Sequence, residues 1–426
     1  MATSANCTAH AGAYSMSNCA SGSDAKRWGR APVMLALSLL AAACAQQAPL
    51  PELSAPAIAA PGCATSQVEI AFDFAGASQS TCVIEGERAF RIVVTPEHAP
   101  PINPSPWYAF RYHAQPGGDV AIAIDYPLAE HRYAPKLTDA QGTRILAFAE
   151  EAEGKVASFA VPPGEGLVSG QEIFGAARYA ASAEKLERSS HVDRTILGSS
   201  WDGNDIVGLR MGDPAAPHLI VLLGRAHPPE VSGAVAMETF LEEIVAGYEA
   251  GTIDPATYQV LVVPLLNPDG VMRGHWRANL GGTDLNRDWG VFSQPETAAV
   301  GAWLDGLDPA IRPVLMIDFH STRTNLFYVQ GAEETDPSQE TFLQDWLGRN
   351  SEAIEGYSFT IERRNANPGS GTSKNWFNER FGIPAYTYEV GDEADRTAVA
   401  DAARVFARSL MPALDTMLEA AGEPGM

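Results

Sequence analysis

Three observations predict an α/β protein with a separate β-rich part in front. From about Ser199 onward, near-continuous apolar runs alternate with stretches of helical periodicity. Residues 66–180 instead carry short alternating runs separated by turn clusters. Three of the later apolar runs end at, or close to, a residue able to bind a metal or move a proton, namely His227, His320 and Glu389.

The chain has 426 residues, of which 46% are hydrophobic and 19% charged, an ordinary globular composition. Its Lys+Arg 29 and Asp+Glu 52 give a net charge of −23. A field of that sign repels nucleic acid and anionic lipid, so neither is expected as a partner.

Residues 1–43 read as a signal peptide. "AKRWGR" (25–30) is a positive segment, and "APVMLALSLLAAA" (31–43) is an apolar run of 13 residues. That is shorter than the ~20 residues a bilayer span needs and suits a secretory signal. Cys44 follows three alanines, which resembles the bacterial lipoprotein signal. An exported, periplasmic protein is expected, with membrane contact only through a lipid on Cys44. The Ala/Pro-rich stretch 44–65 reads as a tether. All five cysteines lie at or before Cys82. Only Cys63 and Cys82 would survive processing, and in an exported chain they are expected to pair. Thiol chemistry is excluded beyond Cys82.

Within residues 66–180, "SQVEIAFDF", "RAFRIVVTP", "PWYAFRYHA" and "DVAIAIDYP" predict a small antiparallel β-sandwich of seven to nine strands. Residues 181–198 are polar and read as a linker. In the domain 199–420, "HLIVLLG" (218–224), "YQVLVVPLLN" (258–267), "PVLMIDFH" (313–320) and "IPAYTYEV" (383–390) predict strands covered on both faces. Between the first two, Met237, Phe240, Leu241, Ile244, Val245 and Tyr248 follow helical spacing, and Gly251 suits the position just past a helix end.

Ligands of open α/β sheets sit beyond the carboxyl ends of strands. His227 and Glu230, in "AHPPEVSG" (226–233), could be a chance loop pair. With His320 they could instead supply the two-imidazole, one-carboxylate set of a catalytic zinc, with one open position for water. Glu389 could take that water's proton and pass it to a leaving amine. "NPDGVMRGHWRANLGGTDLNRDWG" (267–290) places Arg273, Arg277 and Arg287 on glycine-broken backbone. A solvated basic loop is one reading, but Asn286 beside Arg287 suits a grip on a carboxylate.

The ordered set HPPE, NPDG (267–270), RAN (277–279), DLNR (284–287), FHS (319–321) and YEV (388–390) resembles the zinc metallocarboxypeptidases. With a β-domain in front, it resembles their cytosolic branch. The resemblance implies an α/β/α domain with a mixed sheet and one Zn²⁺ per chain, held by His227, Glu230 and His320. It also implies Glu389 as general base and acid, and Arg277 as the stabiliser of the tetrahedral oxyanion. Asn286 and Arg287 would hold the terminal carboxylate of a peptide substrate, and Asp284 would orient His227.

Asp288 departs from the family pattern and would add negative charge beside the clamp. The substrate-covering tyrosine of pancreatic members has no evident counterpart near Tyr357 or Trp376. One of Arg323, Arg363 and Arg364 is expected to favour acidic C-terminal residues. The rival readings are an amidase acting on cell-wall peptides with the same zinc site, and a non-catalytic zinc-binding module. Serine hydrolysis is disfavoured, because "LGSSWDG" (197–203) lacks the GxSxG turn.

Overall fold

The computed structural model describes residues 60–98, 105–351, 354–364 and 369–422. The signal peptide, Cys44 and most of the tether lie outside the described residues. The tether's last residues belong to the fold: Cys63 and Ala64 form a short strand. Among the described residues, no helix is long and apolar enough to cross a membrane.

The front half is built from eleven strands among the described residues. They are β1 (Cys63–Ala64), β2 (Val68–Ala71), β3 (Ser80–Gly86), β4 (Ala89–Val94), β5 (Ala109–Ala114) and β6 (Val120–Asp125). The remainder are β7 (Lys136–Asp139), β8 (Gly142–Ile145), β9 (Phe148–Glu151), β10 (Val156–Val161) and β11 (Gly164–Ser169). They form a six-stranded sheet ordered β1-β2-β5-β11-β7-β8 and a five-stranded one ordered β3-β4-β6-β10-β9. Strands such as β4, whose residues alternate buried and half-buried, were legible from their pattern. The exposed β8 and β9 carry no alternation, which is why the expected strand number was low. One pair departs from the antiparallel expectation. Because β5 belongs to the other sheet, β6 returns beside β4 in the same direction, and the two pair in parallel. A disulfide joins Cys63 on β1 to Cys82 on β3, with a Cα separation of 5.8 Å, and so ties the two sheets together. Closing the loop between cysteines 19 positions apart stabilises by about 3 kcal/mol in the chain-entropy account.

The expected linker 181–198 is structured instead. Helix α1 (Ala176–Leu186) buries Ala183 and Leu186, and β12 (Val192–Ser199) pairs with β13 (Asp205–Met211). Both lie at the margin of the layer, so one side of each stays polar and the sequence looks like a linker. Next in the chain are β14 (His218–Gly224), α2 (Val231–Ala250), β15 (Tyr258–Val263), α3 (Pro268–Arg273) and α4 (Pro295–Asp305). After these come β16 (Arg312–Thr322), β17 (Leu326–Gln330), α5 (Pro337–Leu343), β18 (Thr360–Arg364), α6 (Ser373–Phe381), β19 (Ala385–Gly391) and α7 (Arg396–Ala420).

The eight-stranded sheet, ordered β12-β13-β15-β14-β16-β19-β17-β18, is mixed. Its centre, β15-β14-β16-β19, is parallel, and β13 and β17 flank it in the opposite direction. Successive residues of β14 face opposite layers, as the pleat requires. Ile220 and Leu222 pack with residues of α2 and α7, whereas Leu219, Val221 and Leu223 pack with residues of α4 and α6. This is an α/β/α domain. It meets the sandwich where half-buried Arg132 pairs with buried Asp392 at 2.7 Å and where Trp276 joins the sandwich core.

Candidate active site

Three neighbouring parallel strands bring the predicted residues to one place. The loop after β14 carries His227, β16 carries His320 and β19 carries Glu389. At the end of β14 the chain turns sharply. Arg225 adopts a φ of +53°, which non-glycine residues rarely take up. Its buried guanidinium secures the turn. Nε and Nη2 donate to the carbonyl of Pro228 at 2.9 and 2.6 Å, and Nη1 donates to Phe174 O and Tyr179 Oη. Pro228 and Pro229 stiffen the backbone between His227 and Glu230, and α2 begins directly after Glu230. Gly233 lets that helix approach the strand of His320, since a Cβ there would lie 2.5 Å from the His320 carbonyl oxygen.

His227, Glu230 and His320 are only 4%, 6% and 1% exposed, and each offers a ligand atom within 4.8 Å of the others. Nδ1 of His227 lies 2.9 Å from one Glu230 oxygen and Nδ1 of His320 lies 2.8 Å from the other. The two Nδ1 atoms are 3.2 Å apart. Their outer nitrogens each face a carboxylate at 2.9 Å: Nε2 of His227 meets Asp284, and Nε2 of His320 meets Asp318. A carboxylate there holds the proton on Nε2 and leaves the Nδ1 lone pair to face inward. Two inward lone pairs and a buried carboxylate match the donor set of a zinc site. Burial alone would raise the Glu230 carboxyl, but the positive charge that His227 and His320 carry when protonated, a part a bound cation would take over, holds it well below the usual range. Asp284 is likewise kept low, against its burial, by His227 and Arg277.

Glu389 stands half-buried beside this cluster. Its Oε2 is shut from solvent and, among the described residues, has no hydrogen-bond partner. Burial, and then the Glu230 charge, push its carboxyl up to about 7. A carboxylate poised near neutrality with one oxygen free to bond can both accept and return a proton.

Arg277 is held from both ends. Its Nε donates to Asp284 Oδ2 at 2.6 Å, and its backbone is gripped from the sandwich. Asn286 lies buried, with its side-chain oxygen accepting from Ser373 N at 2.9 Å and its amide nitrogen 3.4 Å from Nε2 of His320. Arg287 is exposed, and among the described residues its guanidinium meets only the carbonyl of Asn286.

Several expectations need correction. The Asp288 carboxylate is taken up by partners other than the clamp. It is buried and accepts from Ser293 N, Ser293 Oγ, Gln294 N and Thr297 Oγ1, capping the start of α4. Arg363 pairs with Glu340 at 2.6 Å and Arg364 with Glu362 at 2.9 Å, so both are turned to surface partners. Arg323 lines a cleft of 320 Å³ together with Arg132 and Trp276. Tyr357, where no covering tyrosine was expected, bonds Tyr388 Oη at 2.7 Å in the core. The sequence reading missed Asp318, Arg225 and Ser373. Asp318 had a signal: two residues before His320 on one strand, it shares that side chain's face.

The sequence profile of the zinc carboxypeptidase family matches residues 179–411. Cytosolic carboxypeptidase 6 of Caenorhabditis elegans is 29% identical over 182 residues, covering 40% of this chain and 40% of that protein. Cytosolic carboxypeptidase 2 of Danio rerio is 28% identical over 164 residues, 36% of this chain and 23% of that protein. The chain thus matches less than half the length of either relative. A metallo-carboxypeptidase from Burkholderia cenocepacia superposes with a TM-score of 0.69 at 17% identity, covering 82% of this chain and 99% of that one. One from Pseudomonas aeruginosa, in complex with (2-guanidinoethylmercapto)succinic acid, gives 0.65 at 18% identity, over 82% and 99%. At such identities these two structures show the shared fold.

Proposed function

Because this chain belongs to the zinc carboxypeptidase family, we propose that it removes single amino acids from peptides with a free C-terminal carboxylate. The observation that carries this reading is the convergence of His227, Glu230 and His320 beside the carboxylate of Glu389, whose Oε2 has no partner among the described residues. Zinc held by those three residues would polarise the scissile carbonyl and acidify a water. Glu389 takes the proton of the attacking water and delivers it to the leaving nitrogen. Arg277 places fixed positive charge where the oxyanion develops. Arg287 and the Asn286 amide hold the terminal carboxylate, which fixes the register at one residue from the end. Asp284 and Asp318 keep the two imidazoles in the tautomer that leaves Nδ1 free.

A purely structural metal site gives no reason for a Glu389 whose Oε2 is shut from solvent and, among the described residues, has no partner. The test is release of free amino acids from a mixture of unblocked peptides by the zinc-loaded protein. Release that stops on chelation and returns with zinc supports the reading; no release from any peptide overturns it.

We infer also that the chain is exported and lipid-anchored at Cys44. The positive segment, short apolar run and small residues before Cys44 support this, as does the Cys63–Cys82 disulfide, a bond that persists in oxidising compartments. Labelled palmitate should enter the wild type and not Cys44→Ser. An unlabelled wild type would remove the anchor from the account.

A further inference from the structure

Glu97 belongs to the sandwich, in the turn after β4, yet its carboxylate is bound by the loop of the catalytic layer that carries Arg277. Oε1 accepts from the backbone N–H of Arg277 at 2.7 Å and of Ala278 at 2.8 Å, and Oε2 accepts from that of Trp276 at 3.1 Å. Three successive amides closing on one anion form a concave nest, a strong backbone site for negative charge. Hydrogen bonds to an ionised acceptor are roughly twice as strong as neutral ones.

The same loop is fixed on other sides. His275 Nδ1 lies 2.9 Å from the Ala278 carbonyl, and Asn279 N donates to Thr283 O at 2.9 Å. Gly76 N of the sandwich donates to Met272 O at 2.8 Å. At Gly274, φ +63°, a Cβ would strike the Ala77 carbonyl, so sandwich and loop approach as closely as backbones can. A continuous chain of bonds results. Glu97 holds the backbone at 276–278, Arg277 Nε donates to Asp284 Oδ2, and Asp284 Oδ1 meets His227 Nε2.

Resting on the proposed function, we propose that Glu97 is a positioning residue for catalysis: it fixes the backbone from which Arg277 reaches the developing oxyanion. The sandwich is then part of the catalytic machinery, because it supplies the anion that shapes this loop. Misplacing a catalytic group by about 1 Å can cost on the order of 100-fold in rate, and Arg277 acts on the transition state more than on the bound substrate. Loss of Glu97 therefore lowers kcat and leaves KM nearly unchanged.

The test compares Glu97→Ala, Glu97→Gln and, as a control at the same junction, Gln79→Ala, whose side chain donates to Arg273 O at 3.4 Å. Zinc content, kcat and KM on an unblocked peptide, and hydrogen exchange of the Trp276–Ala278 amides are measured on the full chain. Glu97→Ala should lose about 10- to 100-fold in kcat with zinc and KM kept, and its three amides should exchange faster. A tetrahedral phosphonate peptide should bind more weakly by a similar factor, while a blocked amino acid with a free carboxylate binds as before. Glu97→Gln keeps a carbonyl for the Arg277 and Ala278 amides and should recover most of the loss; Gln79→Ala should match the wild type. Unchanged kcat in Glu97→Ala would overturn the proposal. So would equal losses in kcat, KM and zinc with no recovery in Glu97→Gln, since that pattern belongs to a general folding role. A wild type inactive on every peptide would sink the functional reading instead. The grip itself would still be judged by amide exchange, and exchange unchanged in Glu97→Ala would refute it.

Discussion

His320 and Glu389 are direct partners in the parallel ladder between β16 and β19. Register alone thus sets a metal-ligand imidazole beside the proposed base, both on rigid backbone at the centre of the sheet. A slip of one residue would turn every side chain of a strand to its other face. The pairing makes the spacing between ligand and base a property of the fold, independent of loop conformation.

Glu389→Gln separates chemistry from packing. Glutamine has nearly the same volume and still accepts a hydrogen bond, but it cannot carry the proton. A kcat lower by about 10²–10⁴-fold, with zinc and melting temperature kept, is expected. Stopped assays on the zinc-loaded variant check it, and near-normal turnover would make the late glutamate structural.

The same residue predicts a pH profile. Its carboxyl is raised to about 7, and below its pKa it already holds a proton and can accept no other. Rate should therefore fall as pH drops through that value, up to tenfold per unit. Part of the elevation comes from the Glu230 charge, which a bound dication offsets, so the acid limb of kcat should lie at or below about 7. A limb that persists unchanged in Glu389→Gln would belong to another group.

Metal loss should track the ligand set. His227→Ala or His320→Ala should lose most of about one zinc per chain, read by elemental analysis. Asp318→Asn should still bind metal but about 10- to 100-fold more weakly, as is usual when the partner of a ligand histidine is altered. Undiminished zinc in both histidine variants would sink the assignment of the site.

Much of this was legible because three apolar strands each delivered a polar residue at the same sheet edge, and strands buried on both faces announce themselves. The ordered motifs from His227 to Glu389 added spacing that chance loops do not reproduce. What stayed hidden were groups whose work depends on long-range contact. Glu97 lies about 180 residues from the loop it grips, and nothing near it in the chain signals that role. Arg225 resembles any loop arginine until its positive φ and its carbonyl partners are seen. Asp288 misled for the opposite reason: it sits beside Arg287 in sequence, while its side chain turns away to cap α4.

The Arg287 clamp should show in substrate choice. Arg287→Ala should raise KM for unblocked peptides with a smaller effect on kcat. It should also narrow the difference between unblocked and C-terminally amidated substrates. Equal kinetics of the variant and the wild type on both would assign terminal recognition elsewhere.

The most direct test of the account is mass spectrometry of the products from one peptide supplied with a free and with an amidated C-terminus. Removal of residues one at a time from the free end only, abolished in Glu389→Gln, is the predicted result. Cleavage at internal bonds, or equal cleavage of the amidated peptide, would contradict it and identify an endopeptidase or an amidase of another specificity.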